Sequence, residues 1–156
     1  SQQYSPAAIL GDLVHKGLES LNLLSNFEIQ SEVETAKIID LKDRKINVKG
    51  RVDILLKNKN NEIIIVEIKT ARKDIGLPLQ HHILQLRIYL WLFNTKNGIL
   101  IYITPDRLSE YEVKEPATDD EIRMLLSELL SASKAPKYIW ECKYCEYNIV
   151  CPNKKT

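Results

Sequence analysis

The chain has 156 residues, which is enough for one domain with a proper core and short for two. Its formal net charge of +1 argues against bulk electrostatic attraction to nucleic acid or membrane, while leaving room for a local basic surface. No stretch approaches the ~18 uninterrupted apolar residues of a membrane span, and the N-terminus lacks a signal-peptide pattern, so we expect a cytoplasmic protein with no membrane partner.

The first predicted element is a helix that begins at Ser5-Pro6, with serine at the N-cap and proline in the first turn. Apolar residues then recur at helical spacing from Ile9 to Leu21. His15 borders this stripe. Taken alone, a histidine in this position is more often a structural residue than a metal ligand.

Three strands are predicted next, at Ser31 to Asp40, Asn47 to Leu56 and Ile63 to Thr70, and their polar connections indicate a meander. The third strand, IIIVEIKT, ends in a carboxylate and an amine that share a face, since side chains alternate along a strand. The second strand also alternates. We expect one of its faces to carry Val48, Gly50, Val52, Ile54 and Leu56, with Asp53 on the other.

The turn between the second and third strands brings two carboxylates together. Asn58-Lys59-Asn60-Asn61 favours a tight hairpin, and a turn centred on Asn60 places Asp53 opposite Glu67. Residues facing each other in this way have Cβ atoms roughly 4.5–5.5 Å apart. The two carboxylates would raise each other's pKa unless a divalent cation or Lys69 lies between them. The plain alternative is a surface hairpin with an ordinary Glu-x-Lys end.

A basic, irregular segment, residues 71–78, follows the third strand and forms either a solvated loop or a phosphate contact at the mouth of the site. Leu79 to Asn94 is predicted as a buried helix that is apolar almost all round. Its polar exceptions, His82, Gln85 and Tyr89, form one stripe at i, i+3 and i+7. Buried polar groups need partners, so this stripe either faces a site or marks a wet helix edge.

The remaining elements are predicted as two strands and a helix. Gly98 to Thr104 is an apolar strand, Glu110 to Lys114 is a shorter strand at a sheet edge, and the capping box Thr118-Asp119-Asp120-Glu121 opens a structural helix. The predicted fold class is therefore α/β, with a central mixed sheet flanked by helices.

The C-terminal tail places three cysteines, Cys142, Cys145 and Cys151, as C-x2-C-x5-C. Such spacing turns thiolates toward one metal or iron-sulfur centre, which in a reducing compartment is favoured over idle thiols. Tetrahedral zinc or a 4Fe-4S cluster needs four ligands. We therefore expect residues 1–134 to form the main domain and residues 135–156 a cysteine-rich tail packed on it.

Taken together, these residues resemble the RecB-like branch of the PD-(D/E)xK nuclease superfamily, and within it the small CRISPR-associated exonucleases with a C-terminal cysteine cluster. The likeness covers nearly the whole chain. The motifs occur in the family's order, and they are His15, Gly50-Arg51-Val52-Asp53, Glu67-Ile68-Lys69, Gln85-Leu86-Arg87-Ile88-Tyr89 and the C-x2-C-x5-C-P tail.

The resemblance implies a restriction-endonuclease-like core that cuts DNA with Mg²⁺ or Mn²⁺. It implies that His15, Asp53, Glu67 and the Ile68 carbonyl hold the metal, that Lys69 orients or deprotonates the attacking water, and that Gln85 and Tyr89 position the strand. An oxygen-rich site suits a hard divalent metal. Relatives resect single-stranded DNA ends, often 5′ to 3′, and trim new spacers for CRISPR integrase proteins, and some form homo-oligomers.

The chain departs from the family in one respect. Relatives with an iron-sulfur cluster take a fourth cysteine from a segment well upstream of the histidine helix, and none of the fourteen residues before His15 is cysteine. One explanation is that this segment is missing here. The other is that the tail holds a three-cysteine cluster, or a zinc ion whose fourth ligand is another residue. His81 is the one spare histidine that could be that ligand.

Two other functions fit the same residues. One is a restriction-type or junction-cleaving endonuclease, although such enzymes lack the Q-x3-Y helix and the cysteine tail. The other is a non-catalytic DNA-binding or partner-binding module on a nuclease fold. An intact set of His15, Asp53, Glu67 and Lys69 argues against a decayed site.

Overall fold

A computed structural model describes residues 26–131, together with Leu13 and Lys16. Its centre is one sheet of five strands in the order β1-β2-β3-β4-β5. The strands are β1 (Phe27–Leu41), β2 (Arg44–Asn58), β3 (Ile63–Thr70), β4 (Asn97–Ile103) and β5 (Leu108–Val113), and the helices are α1 (Gln80–Leu92) and α2 (Asp119–Ser131).

The sheet is mixed, as predicted. β1, β2 and β3 form the expected antiparallel meander, β3 and β4 are parallel with α1 as the crossover, and β4 and β5 are antiparallel. The described elements agree with the predicted ones to within a few residues, and the largest difference is that β1 begins at Phe27 rather than Ser31. The predicted first helix lies outside the described residues, apart from Leu13 and Lys16.

Asparagine chemistry explains the turn between β2 and β3. The side-chain oxygen of Asn58 accepts backbone N–H bonds from Asn60 and from Glu62, both at 2.9 Å. Asn61 adopts a φ of 60°, a left-handed conformation that asparagine tolerates better than most residues. This turn sets the pairing register, so that Ile54 faces Val66 and Leu56 faces Ile64.

The main core lies between the sheet and α1. Leu86 and Leu90 of the helix are fully buried against the sheet, and burying a leucine completely stabilises a fold by about 1.5–3 kcal/mol. The other buried members of this cluster are Val52, Leu55, Ile65, Leu100, Tyr102 and Val113. A second, smaller cluster comprises Ile54, Leu56, Val66 and Ile101.

The expectation for the faces of β2 was wrong. Val52 packs in the core cluster with α1, whereas Ile54 and Leu56 belong to the second cluster, so the strand changes face between Val52 and Ile54. At the same place, Glu32 of β1 takes a φ of 51° and the β1–β2 ladder skips the Glu32–Asp53 pair. The irregularity frees Asp53 from regular pairing with β1.

The chain divides into two compact units, residues 1–119 and residues 120–156. The first contains the sheet and α1, and the described part of the second is the helix that ends at Ser131. Of the helices in the described part of the chain, none is long and apolar enough to cross a membrane.

Candidate active site

Asp53 and Glu67 are joined by hydrogen bonds where the backbone pairing of β2 and β3 ends. The last regular pair is Ile54 with Val66. Beyond it, the backbone N–H of Asp53 donates to Glu67 Oε1 at 3.0 Å, and the backbone N–H of Ile68 donates to Asp53 Oδ2 at 3.0 Å. Carboxylate oxygens thus take over from the backbone carbonyls of the ladder, which fixes both acidic side chains on neighbouring strands.

Glu67 is buried in an environment that disfavours its charge. The residue is 4% exposed. Burial and, after it, the nearby negative charge of Asp53 raise the pKa of Glu67 to about 8, although the Asp53 N–H and the Lys69 ammonium act in the opposite direction. A carboxyl group in this state requires either a proton or a cation beside it.

Lys69 is held between the acidic pair and the helix. Its Nζ lies 3.9 Å from Glu67 Oε2 and donates to Gln85 Oε1 at 2.7 Å. Gln85 Nε2 in turn donates to the hydroxyl of Tyr89 at 3.2 Å. Two members of the predicted polar stripe on α1 therefore face the end of β3 and fix the position of the lysine amine.

Tyr89 is part of the same electrostatic environment. Burial raises the pKa of Tyr89, as do the negative charges of Glu67 and Asp53, whereas the Arg51 guanidinium lowers it. The tyrosine therefore remains a neutral hydrogen-bonding group. Its ring also packs beside Gly50, where an added Cβ would lie 3.0 Å from Tyr89 Cε1.

The acidic pair fits a hard divalent cation. Two carboxylates share one end of the sheet, and oxygen ligands of this kind suit Mg²⁺ or Mn²⁺. The N–H and C=O of one strand residue point to the same side, so the Ile68 carbonyl also points toward β2, where its N–H meets Asp53. Within residues 26–131 these two carboxylates are not joined by a third histidine, cysteine or acidic residue in one metal-binding group.

The other predicted site residues divide into two groups. His15 and the three tail cysteines, Cys142, Cys145 and Cys151, lie outside the described residues. His82 is described, but its contact is with Tyr102 on β4, at 2.7 Å, rather than with Lys69 or Gln85.

Sequence reasoning missed Tyr102 and Arg51 as neighbours of the site. Tyr102 lies beside Lys69 because β3 and β4 pair in parallel with Lys69 opposite Tyr102. That register cannot be read from the residues of the two strands. The signal for Arg51 was present, since it is two residues from Asp53 in the Gly-Arg-Val-Asp run.

Comparison with known proteins places this geometry in a family. Residues 24–152 match the PD-(D/E)XK nuclease superfamily. The chain is 49% identical, over its full length and 77% of the relative, to the CRISPR-associated exonuclease Cas4 of Saccharolobus solfataricus. The solved crystal structure of SSO0001 is 48% identical and superposes with a TM-score of 0.77, covering 98% of this chain and 74% of that one. The chain therefore belongs to the PD-(D/E)XK nuclease superfamily and, within it, to the family of CRISPR-associated exonucleases.

Proposed function

We propose that this protein is a Mg²⁺- or Mn²⁺-dependent deoxyribonuclease that degrades single-stranded DNA from its ends, in the 5′ to 3′ direction, during CRISPR spacer acquisition or related DNA end processing. The observation that supports this most is the buried Glu67 carboxyl, hydrogen-bonded to the Asp53 backbone and 3.9 Å from the Lys69 amine. An exonuclease relative at 49% identity supports the same activity.

Four groups are proposed as metal ligands: the carboxylates of Asp53 and Glu67, the Ile68 carbonyl, and His15 of the N-terminal segment. A bound divalent cation lowers the pKa of a coordinated water and stabilises negative charge on a phosphoryl group. Asp53 and Glu67 contribute the two negative charges that hold a cation at the end of the sheet. Both are fixed by backbone hydrogen bonds, so little reorganisation is needed when a cation binds.

Lys69 is proposed to orient the attacking water and to assist the loss of its proton. The amine is held by Gln85 rather than by a rigid ion pair with Glu67, since the 2.7 Å contact to Gln85 is much the shorter of the two. Gln85 and Tyr89 are proposed to line the cleft and to position the DNA strand.

The domain boundaries and the tail are part of the proposal. Residues 1–134 are proposed as the nuclease domain and residues 135–156 as the cysteine tail, in which Cys142, Cys145 and Cys151 bind a 4Fe-4S cluster or Zn²⁺. Anaerobic purification followed by iron, sulfide and zinc analysis tests this. Cysteine-to-serine variants that keep the full metal content would contradict it.

Substrate and polarity are tested with labelled single strands in the presence of Mg²⁺ or Mn²⁺. Linear strands labelled at the 5′ or the 3′ end should be shortened from the 5′ end, while a circular strand of the same sequence should survive. Degradation of the circle would indicate an endonuclease. Binding of DNA without any cleavage would indicate a non-catalytic module.

The cellular partners are proposed on the same basis. Single-stranded DNA is the proposed substrate, CRISPR integrase proteins are the proposed protein partners, and self-association is expected from the relatives. Co-purification of tagged integrase with the chain, followed by light scattering of the complex, tests both kinds of assembly.

A further inference from the structure

Tyr102 fixes which nitrogen of His82 carries a proton. The Tyr102 hydroxyl accepts a hydrogen bond from the backbone N–H of Leu79 at 3.0 Å and lies 2.7 Å from His82 Nδ1. Tyr102 is fully buried, so water cannot take its hydroxyl hydrogen, and no other partner for that hydrogen is found in residues 26–131. An unpaired buried donor is costly. The hydroxyl therefore donates to Nδ1, and the single ring proton of a neutral His82 is on Nε2.

The imidazole is kept in that neutral form by its surroundings. Burial lowers the pKa of His82, and the positive charges of Lys69 and His81 lower it further. The Nε2–H, on the other side of the ring from Tyr102, makes no hydrogen bond with any other residue in the range 26–131. The site thus contains a fixed, partly exposed donor that the proposed metal chemistry does not use.

This donor lies one strand away from the acidic pair. Lys69 on β3 and Tyr102 on β4 are register partners, and neighbouring strands lie ~4.8 Å apart. From α1, Gln85 contacts Lys69 and His82 contacts Tyr102. A line across the end of the sheet therefore runs from Asp53 on β2, past Glu67 and Lys69 on β3, to His82 over β4.

We propose that His82 Nε2–H donates to a DNA backbone phosphate next to the scissile one, and so fixes the register of the strand in the cleft. The inference rests on the proposed nuclease function. On the side away from Tyr102, the neutral ring offers one hydrogen-bond donor and no acceptor. A phosphate is favoured over a base as its partner because every nucleotide carries phosphate oxygens that can accept this bond. Contacts to phosphates position a strand without reading its sequence, as an end-degrading nuclease requires.

Two substitutions separate this role from a structural one. His82→Asn can keep the acceptor for the Tyr102 hydroxyl while removing the outer donor. His82→Gln extends an amide donor toward the Nε2 position. We expect His82→Asn to raise KM, and the Kd for single-stranded DNA in Ca²⁺, by about tenfold with kcat within about twofold of wild type, because hydrogen bonds to charged groups contribute on this scale. His82→Gln should recover most of the affinity.

Single methylphosphonate substitutions in the DNA identify the phosphate itself. Each substitution removes the negative charge of one phosphate. For each protein variant, the affinity for a modified strand is compared with the affinity for the unmodified strand, so that differences in stability between variants cancel. Wild type and His82→Gln should lose affinity at one position next to the cleavage site, and His82→Asn should no longer do so. Glu112→Gln, a change at an exposed residue of β5, should retain the sensitivity.

The outcomes distinguish the two proposals. Wild type that neither binds nor cuts single-stranded DNA overturns the nuclease function. Wild type that cuts DNA, with a His82→Asn variant that keeps the wild-type KM and the same methylphosphonate sensitivity, overturns the inference about His82 alone. Equal losses of DNA affinity in His82→Asn and His82→Gln, with the same methylphosphonate sensitivity as wild type, also overturn it. Such a result would assign His82 a structural role.

Discussion

Glu67 accepts a hydrogen bond from the Asp53 backbone at 3.0 Å, and Asp53 accepts one from the backbone of Ile68, next to Glu67, at the same distance. Each acidic side chain thus holds the strand that carries the other. Burial of Glu67 and the charge of Asp53 beside it raise the pKa of Glu67 to about 8.

The first prediction concerns stability in the absence of metal. The pKa of Glu67 is about 8 in the folded protein and 4.5 in the unfolded chain, so the folded state holds this proton more tightly. The stability that Glu67 contributes by binding this proton is fully present below pH 4.5 and falls as the pH rises toward about 8. Above that pH it no longer changes. Over that range wild type should lose a few kcal/mol relative to Glu67→Gln, which cannot ionise.

Urea unfolding in a chelator, at a series of pH values, measures this difference. The comparison between wild type and Glu67→Gln cancels the titration of all other groups. A difference in the free energy of unfolding that does not change with pH would contradict the raised pKa.

The second prediction concerns metal binding. A cation must displace the proton from Glu67, so Mn²⁺ affinity should rise with pH, by up to about tenfold per pH unit, and level off near pH 8. In Asp53→Asn the affinity should be weaker, and the plateau should begin at lower pH because the negative charge beside Glu67 is gone. Calorimetric titration measures both effects. A plateau that begins at the same pH in the two proteins would contradict the electrostatic coupling between Asp53 and Glu67.

The third prediction concerns Lys69. Lys69→Met should lower kcat by about 10²–10⁴-fold, the usual size of an acid-base contribution, while Mn²⁺ still binds. Gln85→Leu should lower kcat less, because it removes the 2.7 Å bond that orients the amine but leaves the amine in place. Single-turnover cleavage measures the rate of the hydrolysis step in each variant. Lys114→Met, which removes an exposed lysine just after β5, is the control and should cleave at the wild-type rate.

The fourth prediction uses the close approach of β2 to α1. A Cβ at Gly50 would lie 2.7 Å from Leu92 Cδ1 and 3.0 Å from Tyr89 Cε1, so Gly50→Ala must displace the helix side chains. We expect a loss of about 1–3 kcal/mol in stability, as for other overpacked cores, together with reduced cleavage through Tyr89.

Gly98→Ala provides the matched control. Its Cβ would meet Leu86 at 3.2 Å and the Val113 carbonyl at 3.0 Å, which affects packing but does not touch Tyr89. At equal loss of stability it should cleave faster than Gly50→Ala. Equal cleavage rates in the two variants would remove Tyr89 from the site.

The hairpin was predictable because its causes are local. The asparagines of the turn fix the register, and the register carries Asp53 to Glu67. The change of face in β2 was not predictable from the pattern of its own residues, and it coincides with a φ of 51° at Glu32 on the neighbouring strand. A strict alternation of side chains therefore gave the wrong face for Ile54 and Leu56.

The polar stripe on α1 was visible from helical spacing, but its partners were not. Gln85 reaches Lys69 and His82 reaches Tyr102 because β4 pairs in parallel with β3, and the offset of two parallel strands depends on the packing of the crossover helix. Spacing alone can place side chains on one face of a helix. It cannot say which strand each of them meets.

The central claim is that Glu67 holds the cation that drives DNA hydrolysis. It is tested most directly by the cleavage rate of a 5′-labelled single strand in Mn²⁺ with wild type, Glu67→Gln and, as a matched control, Glu112→Gln, an exposed glutamate on β5. We predict cleavage by wild type and Glu112→Gln that a chelator abolishes, and none by a folded Glu67→Gln. Cleavage by Glu67→Gln at the wild-type rate would contradict the account.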